Sequence, residues 1–101
     1  MTADELTGFF RANGDHRFFP AHCRAVGVSV IEAKLLKALL LSEQDNRWVQ
    51  THFGLSLAYN LARRGLVENP LGVSGSTHTN LWRLTGEGLQ ALAAAVTGSQ
   101  R

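Results

Sequence analysis

Between Leu61 and Glu68 the chain switches from a helical to an extended pattern of apolar residues, with a glycine at the switch. Upstream, Phe53, Leu57, Ala58 and Leu61 recur at the i, i+4, i+5, i+8 spacing that lays an apolar stripe along one side of a helix. His52, Ser56, Tyr59, Asn60 and Arg63 fall on the other side, so one helix from about Thr51 to Arg64 is expected, with a polar outer face. Gly65 stands just past the last periodic residue, where a helix commonly closes in left-handed backbone. Leu66-Val67-Glu68 then leaves as a strand, and Asn80-Leu81-Trp82-Arg83-Leu84-Thr85 is a second β-like run. The stretch between them holds Pro70, Gly72 and Gly75, which predicts a hairpin with a long, mobile tip.

Thr2 or Asp4 caps a first helix over residues 3 to 12, with Leu6, Phe9 and Phe10 on one face and Asn13-Gly14 at its end. So short a helix cannot bury its own stripe, which must meet the body of the domain or the same helix of a second subunit. Residues 15 to 20 form a connector, Ala21 to Val26 a helical turn or two, and Gly27 a break. Ser29-Val30-Ile31-Glu32 has the spacing of a capping box and opens a helix from Val30 to Leu41. Ile31, Leu35, Leu36, Leu39 and Leu40 should face inward there, with Lys34 and Lys37 on the wetter side. Ser42 to Asn46 reads as a polar loop and Arg47-Trp48-Val49 as a short strand, which leaves little room for a separate helix before Thr51. Thr85 caps a last helix with Glu87 in its first turn and Leu89, Leu92, Ala93 and Val96 in an apolar seam. Thr97 to Arg101 is a polar tail.

A chain of 101 residues with 45% apolar and 18% charged residues fits one small domain with a modest core. It divides into an N-terminal helical extension, 1–28, a main domain, 29–97, and a flexible tail, 98–101. The acidic start, Asp4 and Glu5, does not have the layout of a secretion signal, and no apolar run approaches the roughly 18 residues of a membrane span, so no membrane partner is expected. The lone Cys23 cannot form an internal disulfide, which suits a reducing, cytoplasmic setting. A formal charge of +2 permits phosphate binding without demanding it.

Chemistry finds little purchase. No nucleophile elbow or spaced carboxylate pair is present, so an enzyme is not expected. Cys23 beside His22, with His16 nearby, does not have the paired cysteines of a zinc site, and the glycines at 72 and 75 are not followed by the lysine of a phosphate loop. No metal or cofactor is therefore expected.

The residues from Leu61 to Glu68, and Trp82-Arg83-Leu84-Thr85-Gly86-Glu87-Gly88 after them, resemble the recognition-helix end, return strand and closing helix of winged helix-turn-helix DNA-binding regulators. The likeness spans about residues 29 to 96. It implies a mainly α fold with a small antiparallel β-hairpin, and a regulator, a repressor by steric blocking, that binds double-stranded DNA as a homodimer through its N-terminal and C-terminal helices. In that frame Asn60 and Arg63 read bases, His52, Ser56 and Tyr59 contact bases or phosphates, and Arg47, Arg83 and His78 hold the backbone. The alternative is a winged domain that serves as a protein-interaction module, an inhibitor or adaptor. It draws on residues 72 to 79, which contain no lysine or arginine where such domains commonly carry a basic residue.

Overall fold

The computed structural model describes residues 1–69 and 81–98; the expected hairpin tip, Asn80 and the last three residues lie outside them. The described residues form six helices and three strands: α1 (Ala3–Ala12), α2 (Pro20–Ala25), α3 (Val30–Leu41), β1 (Gln44–Asp45), α4 (Asn46–His52), α5 (Leu55–Arg63), β2 (Val67–Glu68), β3 (Leu81–Leu84) and α6 (Gly86–Thr97).

Local signals fix most of the helix ends. At α1, Thr2 Oγ1 accepts from Glu5 N at 3.2 Å while Glu5 accepts from Thr2 N at 2.9 Å, a reciprocal cap. Ser29 and Glu32 do the same for α3 at 3.1 and 2.7 Å. Pro20 opens α2, where its missing N–H costs nothing. Gly65, at φ +76°, closes α5: Leu66 N donates to Leu61 O and Gly65 N to Ala62 O.

Two expectations change between residues 44 and 64. Arg47-Trp48-Val49 is not a strand but lies inside α4, because Asp45 caps a helix there, accepting from Trp48 N at 2.8 Å. The strand comes earlier, at Gln44–Asp45, within what the sequence suggested was a loop. The single helix from Thr51 to Arg64 is also two helices, divided at Gly54, whose φ of +96° is incompatible with a continuing α-helix. A full helix fits before α5 because it starts at Asn46.

The sheet is antiparallel in the order β1-β3-β2. Gln44 faces Trp82 and Asp45 faces Leu81 on one edge of β3; Val67 faces Leu84 and Glu68 faces Arg83 on the other. The expected hairpin of β2 and β3 is thus present, with β1 as a third strand.

One core joins the six helices with β2 and β3. α3 supplies Ala33, Leu35, Leu36 and Leu39; around it lie Leu6 and Phe10 of α1, Cys23 of α2, Val49, Ala58, Leu61, Val67, Trp82, and Leu92 and Ala95 of α6. Full burial of each large side chain contributes about 1.5–3 kcal/mol relative to exposure. Residues 1–28 therefore share the core of residues 29–97, and the stripe of α1 is covered by the body of the same chain. Ile31 departs from expectation: it is 46% exposed in the first turn of α3, beside Phe53 and Leu57. The inward neighbour at that end is Glu32, which is 7% exposed.

Candidate nucleic-acid interface

α5 is held against the core by Ala58 and Leu61, both fully buried. A helix pinned on that side turns positions 56, 60 and 63 outward, and Ser56, Asn60 and Arg63 are all exposed there. They form a continuous polar edge of hydroxyl, amide and guanidinium, the groups that pair with base edges and phosphates. Arg63 has no hydrogen-bond or ion-pair partner among the described residues, so its charge is free to meet an anion.

Adjacent arginines take opposite directions. Arg64 turns back to α3, where Nη2 lies 2.8 Å from Glu32 Oε2 and Nη1 donates to the carbonyl of Gly27. The Glu32 carboxylate thus closes the cap of α3 with one oxygen and receives Arg64 with the other. Asn60 Nδ2 reaches the same oxygen only at 3.4 Å, leaving the amide largely uncommitted.

The other expected contact residues divide. Tyr59 is half-buried: its ring meets Trp82 edge-on at 5.5 Å, and its buried hydroxyl has no hydrogen-bond partner among the described residues, so it belongs more to the packing of the sheet than to the outer edge. His52 ends α4 rather than continuing α5; its ring stacks on Trp48 at 4.3 Å and its Nδ1 lies 2.9 Å from the Trp48 carbonyl oxygen. Arg47 is exposed in the first turn of α4. Arg83 is exposed on β3 but is tied to Glu68 directly across the strand pair at 2.8 Å. His78 lies outside the described residues.

Two features escaped the sequence reading. The Trp48–His52 stack was open to it, because the two residues stand at i, i+4. The polar knot at the root of the hairpin was not: the buried Asn46 Oδ1 accepts from Trp82 Nε1 and from Asn69 Nδ2, three residues far apart in sequence.

Other chemistry is poorly served. Among the described residues no three His, Cys, Asp or Glu side chains converge to hold a metal. Burial pushes the Cys23 thiol up, away from the reactive thiolate. No helix among them is long and apolar enough to cross a membrane. No protein-family model matches the chain, and searches of curated proteins and of solved structures find no match to it.

Proposed function

We propose that this chain is a winged helix-turn-helix regulator that binds double-stranded DNA, with α4 and α5 as the helix-turn-helix, α5 in the major groove and β2 and β3 as the root of the wing. The observation that carries the reading is the outer edge of α5, where Ser56, Asn60 and Arg63 are exposed together and the arginine has no ion-pair or hydrogen-bond partner among the described residues. The order of α3, β1, α4, α5, β2 and β3, with β3 central in the sheet, supports it as an architecture. Asn60 and Arg63 read bases, Ser56 and His52 contact bases or phosphates, and Arg47 holds the DNA backbone from α4. Two copies on a palindromic site, with half-sites about ten base pairs apart, block transcription by occupying the DNA. A dimer neutralising about six phosphates gives a slope near −5 in log affinity against log salt.

A titration of random-sequence duplex across a salt series, followed by selection of bound sequences, tests this. Micromolar protein that binds no duplex at low salt refutes it. One observation favours a second reading, a protein-interaction module: Arg83, the cation on the sheet, is cancelled by Glu68. In that case pull-down on the folded chain returns a protein partner while duplex binding is absent.

A further inference from the structure

A shallow depression lies between the first turn of α3 and the outer edge of α5, lined by Ile31, Phe53, Ser56, Leu57, Asn60 and Arg63. It has two unlike walls. Ile31, exposed, and Phe53 and Leu57, half-buried, make an apolar one; Ser56, Asn60 and Arg63 make the polar one. None of the six is acidic, and the carboxylate behind them, Glu32, is neutralised by Arg64. The depression therefore suits an anionic partner that presents an apolar group beside hydrogen-bonding groups.

The major groove of DNA offers that combination at thymine. The C5-methyl of thymine is an apolar group on a base edge, and it sits beside the N6 and N7 of the paired adenine, which an asparagine amide can engage together. We infer, resting on the reading of α5 as the major-groove helix, that Ile31 and Leu57 hold a thymine methyl while Asn60 pairs with the adenine of the same base pair. One A·T pair then satisfies both walls at once. A G·C pair offers no methyl to the apolar wall and no adenine to the amide. Ile31 and Leu57 thus become specificity-determining residues, and the selected site carries a required thymine in each half.

The test uses the full chain and duplexes selected from a random pool. Each thymine of the selected site is replaced singly by deoxyuridine, which removes only the methyl, and affinity is measured at fixed salt. One position per half-site should weaken binding about three- to fivefold, the scale of one methyl group withdrawn from water. In Ile31→Ala and Leu57→Ala that sensitivity should shrink below about twofold, with the exposed Ile31 giving the variant least prone to disturb folding. Arg63→Ala should weaken thymine and deoxyuridine duplexes alike and keep their ratio. Duplex binding indifferent to every thymine methyl, or a ratio that survives both apolar substitutions, overturns the inference and leaves the DNA-binding reading standing. Failure to bind any duplex removes the reading, and this inference with it.

Discussion

Glu32 and Arg64 join the start of α3 to the end of α5 through a 2.8 Å ion pair whose acid is buried and whose base is about one-third exposed. The glutamate also closes the helix cap with Ser29, so one carboxylate fixes both a helix start and the angle at which α5 leaves the core. Removing the arginine strands a buried carboxylate, a loss of about 3–5 kcal/mol for a fully buried pair. Solvent at the Arg64 side reduces this to about 1–3 kcal/mol. Arg63→Ala, one residue earlier, should change stability by no more than about 0.5 kcal/mol. Urea denaturation of the two variants separates them; equal losses would mean that the pair does not brace α5.

Two glycines should respond to alanine in opposite directions. A Cβ on Gly88 would collide with the backbone carbonyl of Leu66, where the first turn of α6 rests on the turn after α5 and Thr85 Oγ1 donates to Gly65 O at 2.6 Å. Backbone cannot step aside as a side chain can, so Gly88→Ala should cost about 3 kcal/mol or more. Gly8, exposed in the middle of α1, has nothing within 4 Å of its would-be Cβ, and Gly8→Ala should add about 0.5–1 kcal/mol. Thermal melts of both variants decide the matter, and a stable Gly88→Ala protein would show that α6 docks differently.

The stretches legible in the sequence are those governed by neighbours along the chain. The capping box at Ser29 and Glu32, the closing Gly65 and the cap at Thr85 each depend on residues within about four positions, and all stand where the sequence put them. The stretch misread, residues 44 to 54, turned on a competition. Trp48 and Val49 favour strands, but Asp45 at the cap position and Gly54 as a break impose two short helices. The candidate site followed the same division. Helical periodicity placed Ser56, Asn60 and Arg63 outside, whereas Tyr59 turned toward Trp82, a residue 23 positions away whose proximity no local pattern announces. Glu32's second role, toward Arg64, was hidden for the same reason.

The root of the hairpin should depend on a single oxygen. Asn46 Oδ1 accepts from the buried Trp82 indole and from Asn69, so Asn46→Ala leaves a buried N–H without an acceptor. The expected loss is about 1–3 kcal/mol. Asn46→Asp keeps the acceptor and should recover part of it, with the unfolding midpoint between those of wild type and Asn46→Ala. An alanine variant as stable as wild type would show that the indole finds another partner.

Cys23 gives the protein a signature at high pH. Its side chain is buried among core residues, and desolvation raises the thiol above its ordinary value. The unfolded chain loses that proton near pH 8.5, while the folded chain keeps it to a higher pH. The folded state then holds more protons than the unfolded one, so the contribution is complete below about pH 8.5 and is lost as pH rises through the folded value. Stability of the wild type should decline through this window with a slope of at most about 1.4 kcal/mol per pH unit from this group, and the Cys23→Ala difference curve should isolate it. Alkylation at pH 8 should be roughly two orders of magnitude slower in the folded protein than in urea, because reagent must wait for the core to open. Rapid labelling of the folded chain would instead place the thiol at the surface.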